Sequence, residues 1–190
     1  MDIQSLYQKA LTFAATKHME KGQTVPGTDL PYTVHLSNVA MEILVAGSNT
    51  PDFNTTFAVQ VALLHDTLED TSTTYEELRE RFGTDIADAV QALSKNQDLP
   101  KEEQMDDSIQ RIKKTPKEVW AVKLADRITN LQPPPTYWSK AKRIEYQEES
   151  RIILAELKEA NKHLAQRVEK KIEKYSDYMR NMDISPDNST

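Results

Sequence analysis

The sequence predicts an all-α fold, one domain built as a helical bundle, and three observations predict it. Apolar residues recur three and four positions apart through most of the chain, no stretch shows the clean alternation of a strand, and 190 residues contain 38% hydrophobic and 28% charged residues with only 4 glycines. That length accommodates one ordinary domain with a real core. Residues 1–182 are assigned to this domain and 183–190 to a disordered tail.

The first helix is predicted from Ser5 to Met19, where Leu6, Ala10, Leu11, Phe13, Ala14 and Ala15 keep helical spacing and His18 closes the run. Two prolines and a glycine make Gln23 to Tyr32 a loop. The second helix starts near Thr33, carries Val34, Val39, Ile43 and Leu44 with His35 in its first turn, and stops around Gly47 to Pro51. Thr55 to Leu68 form a third helix, apolar almost all round through Phe57, Ala58, Val61, Ala62, Leu63 and Leu64, which marks it as the central and most buried one. Thr74-Tyr-Glu-Glu77 has the pattern of a capping box and opens a short helix ending at Phe82-Gly83. The next helix presents Ile86, Ala89, Val90 and Leu93 on one side, followed by the polar loop Ser94 to Pro100 and a charged helix from about Lys101 to Lys113. Pro116 stands at the first turn of a second strongly buried helix, which reaches Asn130 before Pro133 to Pro135 stop it. Two long helices, roughly Ser139 to Glu159 and Lys162 to Met179, complete the bundle.

Composition narrows the function. A formal net charge of −6 argues against a face that binds nucleic acid. With no cysteine, disulfides and thiolate metal sites are excluded, so any metal must be held by histidine and carboxylate. The opening residues Met1-Asp-Ile-Gln-Ser-Leu6 lack the basic and apolar regions of a signal peptide, and no run approaches a membrane span. The cytoplasm is the expected address.

The chemistry concentrates in Val61-Ala-Leu-Leu-His-Asp-Thr-Leu-Glu-Asp-Thr71. If the third helix runs through this motif, Glu69 lies beside His65 and Asp66, and Asp70 beside Asp66. Carboxylates crowded in this way repel each other unless a cation or a proton sits among them, and a divalent metal is the simplest cation. The plain alternative is an acidic helix end fading into solvent. Asp126 is more telling: its neighbours Val122, Leu124, Ala125 and Ile128 indicate burial, and an ionised buried carboxylate is costly unless paired or metal-bound. Lys123 or Arg127 is available to pair with it, and His35 alone reads as a helix-end histidine. Taken together, His35, His65, Asp66 and Asp126 make a nitrogen and oxygen donor set open to Mn, Fe or Zn, with positions left for water and substrate.

These residues resemble the H…HD…D signature of HD-domain metal phosphohydrolases. Pro31-Tyr-Thr-Val-His35, Ala62-Leu-Leu-His-Asp-Thr-Leu-Glu-Asp-Thr71, Phe82-Gly83 and Val122-Lys-Leu-Ala-Asp-Arg127 with Asn130 are similar, in order, to segments of the hydrolase domain of RelA/SpoT enzymes. The likeness runs from about Leu11 to Ile153 and leaves no room for a synthetase domain, so the chain resembles a stand-alone small alarmone hydrolase of the metazoan SpoT-like kind. The resemblance implies an HD-domain bundle with a buried central metal site that removes the 3′-pyrophosphate from (p)ppGpp-type nucleotides, usually with Mn²⁺, Zn²⁺ or Fe²⁺ being open too. It implies that His35, His65, Asp66 and Asp126 hold one divalent ion, that Glu69 and Asp70 orient and deprotonate the attacking water, and that Asn130 contacts the ribose. Lys95 matches the lysine of a family Thr-Lys pair and reads equally well as a solvated loop lysine. Tyr32, Tyr146, Lys142 and Arg143 are the remaining candidates for the substrate side, the last three also reading as the rim of a core. The implied partner is a small nucleotide, with no nucleic acid and no membrane; an oligomer stays open.

Two departures touch the wall that recognises the base. No basic residue stands between Lys21 and Pro31, where the family usually carries an Arg or Lys pair able to stack on guanine. After Asn130, where an arginine often follows, this chain has Gln132 and three prolines. Guanine and adenine alarmones therefore both remain open. So do a related phosphohydrolase, for example one that takes a monophosphate from NADPH, and a module that only senses nucleotides, although a pure binder has no need of the Glu69-Asp70 pair.

Overall fold

A computed structural model describes residues 2–184, and it is helical from end to end. In chain order the helices are α1 (Ile3–Glu20), α2 (Thr33–Ser48), α3 (Thr55–Leu64), α4 (Thr67–Asp70), α5 (Tyr75–Phe82), α6 (Thr84–Leu93), α7 (Lys101–Ile112), α8 (Lys117–Asn130), α9 (Lys140–Leu157) and α10 (Lys162–Ile184), with one 3-10 turn (Lys158–Ala160) between the last two. Among the described residues the only strand-like pairing is a single bridge, Thr24 with Pro31, which closes the loop between α1 and α2. None of the described helices is long and apolar enough to cross a membrane.

α3 is the axis, as its all-round apolar sequence requires. Ala58, Val59, Val61, Ala62, Leu63 and Leu64 are fully buried, and α1, α2, α6 and α8 pack around them. α8 is the second buried element, with Val119, Ala121, Val122, Leu124 and Ala125 completely enclosed. α2 and α3 meet most tightly at Gly47, where a Cβ would sit 2.1 Å from Thr55 Oγ1, so only glycine allows the approach. Gly83 turns the chain between α5 and α6 at φ +93°, in the region that favours glycine.

The helix starts follow local chemistry. Asp2, Asn54, Thr74 and Ser139 each accept a hydrogen bond from an amide in the first turn of α1, α3, α5 and α9, contacts worth about 1 kcal/mol each. At Thr74 the amide is that of Glu77, 3.2 Å away, as the capping pattern anticipates, while the Glu77 carboxylate pairs with Lys17 at 2.9 Å.

Two boundaries differ from the sequence reading. The third helix does not run to Leu68; it ends at Leu64 and restarts as α4 after His65 and Asp66. The last helix continues past Met179 to Ile184, and the rest of the tail expected over 183–190 lies outside the described residues.

Candidate active site

The break after α3 builds the site. Where the helix stops, its last carbonyls need partners, and side chains supply them: His65 Nδ1 donates to Ala62 O at 2.7 Å and Thr67 Oγ1 to Leu64 O at 2.7 Å. Because a carbonyl only accepts, Nδ1 of His65 carries a proton and Nε2 is the nitrogen that faces the interior. His35, in the first turn of α2, is fixed in the same sense. Thr129 Oγ1 donates to Asp126 O at 2.9 Å and so accepts from His35 Nδ1 at 3.3 Å, again leaving Nε2 free.

Those nitrogens meet the carboxylate of Asp126, carried by α8. His35 Nε2 and His65 Nε2 are 3.5 Å apart and lie 3.4 and 3.6 Å from Asp126 Oδ1. Asp66 Oδ2 lies 2.9 Å from His65 Nε2 and 3.7 Å from His35 Nε2, but it stands outside the group of His35, His65 and Asp126 donors that all lie within 4.8 Å of one another. Donors that share a first-row ion at about 2.1 Å stand roughly 3.0–3.5 Å from one another, so the spacing fits a divalent metal. His35, His65 and Asp126 are all buried and form a group able to hold one.

The electrostatics ask for a cation. Burial alone would raise the pKa of Asp126, yet the Lys123 ammonium and the two imidazoles hold it well below the usual carboxylate range. Asp66 is likewise lowered despite its burial, chiefly by His65. Burial works against charge on His65, but Asp66 and Asp126 override it and raise that imidazole well above its ordinary value. The centre of the cluster therefore demands positive charge, which a proton or a divalent ion can meet. Lys123 does approach Asp126, at 3.5 Å to Oδ2, so the simple ion pair considered for Asp126 coexists with the cluster.

The helix is interrupted after Leu64 and restarts at Thr67, yet the Asp66 carbonyl, at the start of α4, accepts the Asp70 amide at 2.9 Å, so Asp66 and Asp70 keep the one-turn spacing expected from the sequence. Glu69 and Asp70 line the same cavity, about 420 Å³ in volume, whose floor includes His65, Asp66 and Asp126. Each is held from a different side. Glu69 Oε2 accepts from the Lys95 amide at 2.9 Å and Oε1 from Lys95 Nζ at 3.1 Å. Asp70 Oδ2 accepts from Gln23 Nε2 at 2.8 Å, and burial followed by the nearby Asp66 and Glu69 raises its pKa, against the lowering by Gln23.

The substrate-side candidates divide. Lys95, Asn130, Lys142, Tyr146 and Tyr32 all line the cavity. Two of them are already engaged with carboxylates of the cluster: Tyr32 donates its hydroxyl to Asp66 Oδ2, and Asn130 Nδ2 donates to Asp126 Oδ1 at 2.6 Å. Arg143 is a correction. It is buried away from the cavity, with its guanidinium 3.2 Å from Met182 Sδ on α10, because one residue beyond Lys142 the helix has turned by about 100°.

Several cavity residues escaped the sequence reading. Lys101 and Gln104 come from α7, and Trp138 from the loop before α9. Arg127 lies over the Tyr146 ring at 4.3 Å. Trp138 stands edge-on to Tyr146, with ring centroids 5.2 Å apart. The one available signal was the aromatic pair Tyr137-Trp138, one residue past the proline run; the charged α7 pattern reads as a solvated face.

The HD domain family matches residues 10–164. The guanosine-3′,5′-bis(diphosphate) 3′-pyrophosphohydrolase MESH1 of Xenopus tropicalis is 34% identical over 146 residues, covering 75% of this chain and 79% of that protein. Its Homo sapiens counterpart is 33% identical over 161 residues, covering 82% and 87%. The guanosine-3′,5′-bis(diphosphate) 3′-pyrophosphohydrolase of Aquifex aeolicus is 40% identical over 134 residues, 69% of this chain but 18% of that longer protein. Among solved structures, a metazoan ortholog of SpoT, described as hydrolyzing ppGpp and playing a role in starvation responses, superposes with a TM-score of 0.75 at 26% identity, over 89% of this chain and 94% of that one.

Proposed function

The chain belongs to the HD domain family, and from that premise we propose that it is a metal-dependent hydrolase of alarmone nucleotides, with residues 1–182 as its single catalytic domain. The reaction is attack of water on the phosphorus bound to the 3′-oxygen of a (p)ppGpp-type nucleotide: the bond to the 3′-oxygen breaks, pyrophosphate leaves, and the 3′-hydroxyl is restored. One observation carries the reading. Two imidazole nitrogens and the Asp126 carboxylate converge within 3.4 to 3.6 Å of one another, and two of the three, His65 and Asp126, line the cavity that Glu69 and Asp70 also line.

His35, His65, Asp66 and Asp126 would hold the ion, Mn²⁺ in our reading, which supplies a Lewis acid that acidifies a bound water and offsets charge on the phosphoryl oxygens. The remaining work belongs to the chain. Glu69 and Asp70 orient the water, and one of them takes its proton. Tyr32 and Asn130, each bonded to a ligand carboxylate, keep Asp66 and Asp126 aimed. Lys95, Lys142 and Arg127 put positive charge beside the acidic floor, where a polyphosphate can sit. Trp138 and Tyr146 offer aromatic surface to the nucleoside.

Product analysis tests this. The protein is incubated separately with ppGpp, pppGpp, ppApp and NADPH, with Mn²⁺ or with EDTA, and the products are resolved by ion exchange. Pyrophosphate released from ppGpp or ppApp in Mn²⁺ and abolished by EDTA is expected. Orthophosphate from NADPH alone would move the protein to the second reading, which the loop without a basic residue between Lys21 and Pro31 keeps open.

A further inference from the structure

We propose that His18 and Gln23 are positioning residues: through one hydrogen-bonded relay they grip a single oxygen of Asp70 and leave the other turned to the attacking water. The inference rests on the hydrolase reading above and extends it to a residue of α1, a helix that contributes none of the metal ligands.

The relay has a defined direction. Gln23 Nε2 lies 2.8 Å from Asp70 Oδ2 and Gln23 Oε1 lies 2.6 Å from His18 Nδ1. A carboxylate can only accept, so the amide nitrogen of Gln23 must face Asp70. The amide oxygen then faces the imidazole and can only accept in turn, which puts the ring proton on Nδ1. Proton donation therefore runs from His18 to Gln23 and from Gln23 to Asp70. No hydrogen bond from a described residue reaches Asp70 Oδ1.

The surroundings suit a relay that stays put. His18 is completely buried, its ring stacked at 4.7 Å on Tyr32, and burial lowers its pKa, which keeps the ring neutral. The Gln23 backbone is pinned on both sides: its amide donates to His18 O at 3.1 Å and its carbonyl accepts from the Tyr32 amide at 3.2 Å. The neighbouring bridge, Thr24 with Pro31, closes the loop behind it. Asp70, by contrast, is the last residue of a four-residue helix and is exposed, so nothing in its own element fixes its rotamer.

His18 also bears a cost that packing alone does not explain. Its Nε2 is buried without a hydrogen-bond partner among the described residues, and an unsatisfied buried polar atom is destabilising, whereas an apolar ring of the same shape would fill the space without it. What such a ring lacks is the Nδ1 donor. The geometry thus spends an unpaired nitrogen to place one proton against Gln23.

The test uses the full chain with Mn²⁺ and ppGpp. Gln23→Met, at a half-buried position of an otherwise exposed loop, and His18→Phe, which keeps the ring, are each expected to lower kcat roughly tenfold with KM unchanged. The double variant is expected to fall no further, because both changes cut the same relay. His18→Asn sets an amide nitrogen where Nδ1 stood and is expected to restore most of the wild-type kcat. Wild-type kcat in Gln23→Met, or tenfold effects that multiply in the double variant, would overturn the relay. A second readout does not need turnover: the nitrogen-proton spectrum of ¹⁵N-histidine-labelled protein should show a protected His18 Nδ1 proton that Gln23→Met shifts or loses. A proton on Nε2 instead would sink the relay even in an active enzyme, whereas a wild-type protein inert toward ppGpp but with the protected Nδ1 proton would sink only the hydrolase reading.

Discussion

The floor and the outer wall of the cavity are built on opposite principles. The floor takes Asp126 from α8 and His65 from the break after α3, with His35 of α2 behind them, and locks each imidazole by a hydrogen bond at Nδ1. The wall takes Lys95, Lys101, Lys142 and Trp138 from loops and from the charged helices α7 and α9, where Lys95 and Lys142 are ion-paired with neighbours and at least one-third exposed. Floor residues lose freedom when the protein folds; wall residues keep it until a ligand arrives. The reaction type thus resides in the rigid part, and the choice of substrate in the adaptable part.

The sharpest way to break that contrast is Asp126→Ala. The change removes a donor shared by both imidazoles and Asn130, so metal content by elemental analysis should fall and turnover should drop by about 10³-fold or more. Full activity would mean that the reaction does not run over this floor at all.

Glu69 tests the border between the two regions. Lys95 holds both of its oxygens, through the amide at 2.9 Å and Nζ at 3.1 Å. Glu69→Gln turns an amide against those donors and removes a proton acceptor while leaving the metal donors alone. The expected outcome is a kcat lower by about 10²-fold with bound metal unchanged. Loss of metal along with activity would show that floor and border act as one unit.

The same contrast explains what the sequence disclosed. His35, His65 and Asp126 stood out because ligand-type side chains inside apolar helices need a partner, and that need is visible one residue at a time. The interruption between α3 and α4 was not legible, since Leu64 and Leu68 keep a helical period through it; what breaks the helix is His65 and Thr67 taking over the carbonyls of Ala62 and Leu64. Glu69 and Asp70 bond separate partners, Lys95 and Gln23, which come from other parts of the chain. On α9 the reading went wrong at Arg143 because polar residues alternate on both sides of the helix, and nothing in the spacing of Lys142, Arg143 and Tyr146 says which side faces α10. Gln23 was invisible for a simpler reason, as its partner Asp70 lies 47 residues away.

The gentlest probe is Lys142→Ala, on the wall. The ammonium lies 2.9 Å from Glu145 and 6.0 Å from the Trp138 ring centroid, a surface pair of small intrinsic worth. A phosphate arriving in the cavity competes for the same ammonium and loses one mobile charge when it is removed. KM should rise about three- to tenfold with kcat unchanged, since the contact is made equally in ground and transition states. Because Lys142 is partly exposed, the difference from wild type should shrink as salt rises toward 1 M, where screening acts over about 3 Å. The Asp126→Ala defect, set in the buried floor, should show no such dependence. A fall in kcat for Lys142→Ala, unaltered by salt, would place Lys142 among the groups that touch the reacting phosphorus and erase the division between floor and wall.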